Sequence, residues 1–190
     1  THKFELNGQS GSFSADAYRT FFTNQVVVDV DASSREIRFY DLDGQSFSNS
    51  IQAELSYEPL DKLDVRLAYR WLDVQTNYGG AVLQKPLVAK HRAFINLAYE
   101  TNNHWKFDHT TQWFGEKRLP NASTIANQFE VYSPSYIQMM AQVTKQFGKT
   151  WDVYIGNENL TNYMQENRII SANQPFSPNF DGSVVWGPIN

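Results

Sequence analysis

One plan, used three times, restricts this chain more than anything else in it. A strand with period-two alternation leads into a short polar turn and out into a second alternating strand, around 58–62, 100–104 and 146–151. Large apolar residues flank each turn on what the spacing makes one face: Tyr57 with Leu63, Tyr99 with Trp105, Phe147 with Trp151. Long polar connections separate the hairpins, at about 31–46, 78–89, 116–134 and 160–183, and they carry Gly79-Gly80, Pro86, Pro120, Pro134, Pro175 and Pro178. Tight turns at one end, long loops at the other and aromatic residues at both rims describe the wall of an antiparallel transmembrane β-barrel. The expected fold class is all-β.

The alternation can be followed along most of the chain. Ile51, Ala53, Leu55 and Tyr57 alternate with polar residues, as do Leu63, Val65, Leu67, Tyr69 and Trp71. Ile95, Leu97 and Tyr99, then Trp105 and Phe107, then Ile137, Met139, Ala141 and Val143, then Trp151, Val153 and Ile155 extend the apolar face. Residues 10–30 read as one long strand with Phe13, Ala15, Ala17 and Phe21 on one side, and 1–6 as the tail of another. Aromatics at 15% exceed what an ordinary core needs, which suits rings at a lipid–water boundary. No apolar run approaches the ~20 residues of a membrane helix. Barrel strands escape that test, because every second residue faces the lumen. The net charge of -4 leaves no electrostatic footprint for nucleic acid. The absence of cysteine excludes disulfides and thiolate metal sites.

Charge selects a register. A three-residue turn after Glu58 sets Tyr57 against Leu63, Leu55 against Val65, Glu58 against Lys62 and Glu54 against Arg66. A slip by two would put Glu58 beside Asp64, and like charges across strands are disfavoured. Height is consistent with a membrane wall. Trp105 and Trp113 lie eight residues apart, as do Leu63 and Trp71. Eight steps at ~3.3 Å, tilted by ~40°, span about 20 Å, near the ~25 Å apolar band of outer-membrane barrels. Alternating directions give nine strands, the last beginning within 183–190, so the first and last run the same way. A closed bacterial barrel has an even number. The expectation is an incomplete arc of about 8–9 meandering strands.

The last third carries more specific patterns. Val153-Tyr154-Ile155-Gly156-Asn157-Glu158-Asn159-Leu160-Thr161-Asn162-Tyr163 resembles the penultimate strand and Asn-Leu turn of TonB-dependent outer-membrane receptors. Ala172-Asn173-Gln174-Pro175-Phe176, Phe180-Asp181 and Val185-Trp186-Gly187-Pro188 resemble the last extracellular loop of one receptor branch, and residues 40–50 resemble a loop and strand opening of the same branch. The family-motif residues are thus Asn157, Glu158, Asn159, Leu160, Trp186, Gly187 and Pro188. The resemblance implies that 1–190 is the C-terminal part of a 22-stranded barrel, with the plug domain and last strand absent from it. It implies a receptor and transporter of the Gram-negative outer membrane, and no enzyme. Such a receptor binds a scarce metal chelate, vitamin or glycan at its outer loops and imports it with energy relayed by TonB. The implied partners are outer-membrane lipid, the plug and remaining barrel, TonB through the N-terminal part, a small-molecule or glycan ligand, and in some cases a surface lipoprotein. No cofactor is implied.

Parity points Arg66, Arg70, Arg92, Asn96, Lys106, Asp108 and Gln112 into the lumen, as ligand or plug contacts or simply as a solvated wall. Tyr57, Trp71, Tyr99, Trp105, Trp113, Phe147 and Trp151 are the expected membrane-rim aromatics. Asp29, Asp31, Asp41 and Asp43 suggest oxygen ligands, but a calcium loop would need a distal Glu, so loop solvation is the expectation. The histidines lack metal spacing. His109 falls on the lipid face, where a bulge or a protein neighbour would accommodate it, and Lys145 can snorkel from that face to the interface. There is no Gly-x-Ser-x-Gly elbow and no distinguished carboxylate pair. Asn121-Ala122-Ser123 and Asn159-Leu160-Thr161 match the glycosylation sequon, which carries little meaning in a bacterial barrel. Two other readings fit period-two strands: a soluble β-sandwich carbohydrate-binding module, and a small closed barrel acting as a pore or adhesin. The first would bury the apolar faces between two sheets.

Overall fold

The structure is a computed structural model and describes residues 1–33, 35–120, 132–166 and 168–189. Among these residues it contains strands and no helix. The strands are β1 (His2–Leu6), β2 (Gln9–Phe22), β3 (Val26–Asp29), β4 (Arg38–Asp41), β5 (Ser46–Leu60), β6 (Leu63–Tyr78), β7 (Ala81–Gln84), β8 (His91–Glu100), β9 (Trp105–Phe114), β10 (Tyr136–Phe147) and β11 (Trp151–Asn157). One antiparallel sheet runs β1-β2-β5-β6-β8-β9-β10-β11, with β7 paired to β6 beside this path, while β3 and β4 form a separate two-stranded sheet. Among the described residues the main sheet is open: β1 pairs only β2, and β11 only β10.

Turn chemistry explains where the strands reverse. Asn7 and Gly8 both have positive φ (56° and 77°), as a two-residue hairpin loop with the right twist requires. Three-residue loops join β8 to β9 and β10 to β11. In the first, the Thr101 N–H donates to the Trp105 carbonyl at 2.8 Å and His104 takes a φ of 59°. In the second, Phe147 faces Trp151, as expected.

The other two registers differ from expectation by two residues. Tyr57 faces Val65 and Leu55 faces Leu67, while Tyr99 faces Phe107. At the first hairpin the charge rule fails because the chain does not keep Glu58 in the ladder. A bulge between Tyr57 and Leu60 absorbs Glu58 and Pro59 and leaves a two-residue turn at Asp61-Lys62. Pro59 has no N–H to give the ladder, which makes this a natural place for a bulge. The Glu58 carboxylate accepts the Lys62 N–H at 3.0 Å instead of meeting Asp64. Glu54 still reaches Arg66, diagonally, at 3.7 Å.

Two stretches depart from the strands that alternation predicts. The stretch 10–30 breaks after Phe22, and Val26–Asp29 turns away to pair with Arg38–Asp41. No strand forms among 183–189. The path therefore has eight strands, and its openness rests on two singly paired edges, with no support from an odd count.

The two faces of the sheet are chemically distinct. One in-register row reads Phe13, Leu55, Leu67, Ile95, Thr111, Met139, and the next Ala15, Ala53, Tyr69, Ala93, Trp113, Ile137. No second sheet covers this apolar face: Phe13, Ile51, Leu67, Phe107, Ile137 and Val153 are exposed. That rules out the sandwich, which would hide them. Above Trp71 the same face becomes polar, with Asp73, Gln75 and Asn77 on β6, so β5 and β6 extend past the apolar band. The buried core lies at the loop end of the sheet, where Val27, Ala89, Leu119 and Val184 pack.

Candidate functional site

The polar face holds one continuous row across six strands: Asp16, Gln52, Arg70, Arg92, Phe114, Tyr136, each in register with the next. It makes Arg70 and Arg92 direct cross-strand partners, and like charges directly opposite are disfavoured in a sheet. Among the described residues neither Arg70 nor Arg92 forms an ion pair. Arg92 donates to Gln112 Oε1 at 3.3 Å and lies 4.5 Å from the centroid of the Phe114 ring. A cavity of about 220 Å³ opens between Gln52, Arg70, Arg92, Phe94 and Gln112.

Aromatic rings continue the row into the loops. Phe114 stacks on Tyr136 at 4.8 Å, and Tyr136 on Tyr163 at 5.2 Å with an interplanar angle of 6°. The Trp186 ring leans on Tyr136 at 6.0 Å. Lys117 Nζ lies 5.4 Å from the Tyr136 ring and donates to the Trp186 carbonyl. Burial pushes the Lys117 ammonium below its ordinary value, and the nearby Arg92 charge pushes the same way. Burial also raises the Tyr163 phenol, with Glu166 adding to the effect. Arg92 and Lys117 thus flank a ladder of aromatic faces, with Arg70 opposite Arg92 on the neighbouring strand, in a chain whose net charge is -4. Such a surface takes a flat or polarisable anion through bidentate and cation–π contacts.

The motif residues build the frame behind this surface. Asn157 Oδ1 accepts the Asn159 N–H at 2.8 Å, and Leu160 N–H donates to the Met139 carbonyl at 2.8 Å. The Glu158 carbonyl accepts from Gln138 Nε2 at 3.2 Å. Asn159 brackets the turn, donating from Nδ2 to the Tyr163 carbonyl at 2.9 Å and accepting the Tyr163 N–H at 3.2 Å. That is how an Asn-Leu turn delivers Tyr163 to the stack. Farther on, the buried Gln165 side chain accepts the N–H groups of Trp186 and Gly187 at 2.8 and 2.9 Å and donates to the Val184 carbonyl at 2.8 Å. The Pro188 carbonyl accepts the Gln165 N–H at 2.9 Å. A Cβ on Gly187 would sit 3.3 Å from that of Gln165, so the glycine permits the close approach.

The remaining expected residues lie apart from this cluster. Arg66, Asn96 and Asp108 form a lower network on the same face, with Asn96 Nδ2 3.2 Å from the Asp108 carboxylate and 2.8 Å from Thr110 Oγ1. Lys106 faces Glu100 beside the turns. Tyr57, Trp71, Tyr99, Trp105, Trp113, Phe147 and Trp151 occupy the apolar face, with the tight-turn end marked by Trp105, Phe147 and Trp151 and the loop end by Trp71 and Trp113. Lys145 reaches back from that face between the rings of Trp105 and Phe147, at 5.2 and 5.8 Å, and donates to the Asn103 carbonyl in the neighbouring turn. His109 sits in unbroken register opposite Leu97 and Ala141, with no bulge, and its Nε2 is 2.9 Å from Thr111 Oγ1 on its own strand.

Two aspartates depart from the expected solvated loop. Asp31 forms a buried ion pair with Arg118 at 2.6 Å, and Arg118 also donates to the Gln84 carbonyl, so one side chain ties three loops together. Asp29 accepts the N–H groups of Asp31 and Ala32 and the Tyr40 hydroxyl. Asp41 and Asp43 are exposed, and no group able to hold a metal ion occurs among the described residues. Asn121-Ala122-Ser123 and part of the 116–134 connection lie outside those residues.

Parity could have flagged Phe94, Phe114 and Tyr136 as aromatics out of place on a polar face. Nothing local in the sequence marks Lys117 or Gln165, and the Asn-Leu motif contains Tyr163 without showing that it stacks; all three arrive by loop packing.

Comparison with known proteins bears on this arrangement. A family model described as TonB dependent receptor-like, beta-barrel, matches residues 3–160. No curated protein matches the sequence. The siderophore receptor PiuA from Acinetobacter baumannii shares 18% identity over 84% of this chain and 23% of its own, with a TM-score of 0.55. The ferric-catecholate import receptor Fiu from E. coli K12 shares 14% over 85% and 22%, with a TM-score of 0.59. The ferric citrate transporter FecA in its unliganded form shares 16% over 82% and 26%, with a TM-score of 0.58. At these identities the likeness is one of fold, and the chain spans about a quarter of each of these structures.

Proposed function

We propose a function from one premise: this chain belongs to the TonB-dependent receptor β-barrel family, whose members are outer-membrane receptors and transporters and not enzymes. The chain supplies part of a barrel wall that binds an anionic iron chelate on its inner face near the loops, for import driven by energy relayed through TonB. The apolar face meets outer-membrane lipid between its two aromatic rims. The complete barrel has 22 strands, with a plug domain in its lumen, and the plug side of that lumen meets the lower Arg66, Asn96, Asp108 network.

The observation that carries this reading is the row of Arg70, Arg92 and the Phe114–Tyr136–Tyr163 stack, joined by Lys117. Like charges at directly opposed strand positions are disfavoured, and a bound anion would offset that repulsion. The printed ligands of PiuA, Fiu and FecA, a siderophore, a ferric catecholate and ferric citrate, belong to those proteins and agree with the charge of this surface. A neutral glycan would make no use of these cations.

Iron uptake by the complete receptor tests the reading, with ferric citrate and a ferric tris-catecholate as probes. Arg92→Ala should weaken binding by about ten- to a hundredfold, since a charge-assisted hydrogen bond contributes about 1.5–3 kcal/mol. Uptake and affinity that are indifferent to Arg92→Ala and to salt would leave the anion reading without support.

A further inference from the structure

Gln165 is 2% exposed, yet its side chain spends both ends of its amide on backbone groups of one short segment. Its Oε1 accepts from Trp186 N–H and Gly187 N–H, its Nε2 donates to the Val184 carbonyl, and its own N–H donates to the Pro188 carbonyl. The Trp186 carbonyl is held from the opposite side by Lys117. The main chain of Trp186 is therefore fixed at both its donor and its acceptor. Two residues before Gln165 stands Tyr163, parallel to Tyr136 in the stack. One buried amide thus couples two of the four rings of the cluster to each other, although they lie 23 positions apart in sequence (186 − 163).

We propose that Gln165 is a positioning residue for ligand recognition, which acts through Trp186. It sets the indole against Tyr136 and so completes the aromatic wall, and Gly187 suits the place beside it because a Cβ there would sit 3.3 Å from that of Gln165. An apolar residue of similar size at 165 would leave two N–H groups and one carbonyl without partners in a buried place, and the segment 184–188 would move to find them. The inference rests on the reading that this wall meets the ligand.

The test is a double-mutant cycle in the complete receptor, with a ferric tris-catecholate as probe. Gln165→Leu and Trp186→Ala should each weaken binding by roughly tenfold, and the double variant by no more than Trp186→Ala alone, because a positioning residue has nothing left to position. Losses that multiply, or wild-type affinity for Gln165→Leu, would overturn the proposal. Arg92→Ala separates the two failures. If it weakens binding while Gln165→Leu does not, only the positioning role falls; if Arg92→Ala and Trp186→Ala both bind as wild type, the ligand wall and the positioning role fall together.

A second measurement needs no ligand. Of the five tryptophans, Trp71, Trp105, Trp113 and Trp151 lie in strands on the apolar face, and Trp186 alone lies in a loop. The Trp186 emission, taken as the difference from Trp186→Phe, should become more open to iodide quenching in Gln165→Leu. Unchanged quenching would mean that Gln165 does not hold the indole.

Discussion

Charge placement at single residues separates this wall from a merely wet one. Polar lumen faces are ordinary, and Asn96 with Asp108 needs no further explanation than mutual hydrogen bonding. Arg70 opposite Arg92 is different, because the strand register itself pairs two like-charged residues. Lys117 adds a titratable member. Its depressed pKa means that it loses its charge at lower pH than an ordinary lysine, so attraction for an anion is complete on the acid side and fades as pH rises through the lowered value. Lys117→Arg keeps the charge throughout. Affinity for ferric citrate, measured against pH, should therefore hold to higher pH in Lys117→Arg than in the wild type; superimposable profiles would remove Lys117 from the site. The same scale shows what residue patterns could and could not reveal. That the seven lumen candidates share the polar face was legible from parity alone, but which of them come together was not, since Gln112 joins Arg92 only across a strand pair.

Among the elements, the hairpins followed from alternation, and their registers followed only in part. Phe147 against Trp151 was correct because a regular three-residue loop leaves the ladder intact. Tyr57 against Leu63 was wrong because Pro59 forces a bulge, and a bulge adds a residue that no charge-pairing rule counts. The faces survived both errors. A slip of two returns every side chain to its own side, whereas a slip of one would have exchanged lipid and lumen. This invites a test of the faces. Leu67 lies midway between Leu63 and Trp71 on the apolar face of β6. Leu67→Arg should destabilise folding into a bilayer by ~2–4 kcal/mol, as charge at the midplane does. Gln142→Arg, on the polar face opposite Asp108, should cost little. Urea titration of the complete receptor in lipid would read both, and equal losses would mean that the faces are misassigned.

The whole molecule is an open arc, with its core gathered at the loop end and its apolar band uncovered. Edges and apolar surface of that kind associate in water. This chain alone, without detergent, should sediment as aggregates, and a stable monomer would contradict the membrane assignment. Alternation and turn composition were enough for an all-β chain with two distinct faces, because the period of a strand is a local property; the soluble sandwich fell only where the sheet leaves its apolar face exposed. They could not tell that 26–29 leaves the wall to pair with 38–41, or that 183–189 forms no strand. Long loops obey no period, and their positions depend on partners such as Arg118 for Asp31 and Gln165 for Trp186, which lie far away in sequence. Only the tertiary structure could turn three matched hairpins into an arc whose inner row of Arg70, Arg92, Phe114 and Tyr136 is completed by residues from the loops. A row across strands is a property of register, and register is decided by the bulges and turns that the packed chain adopts.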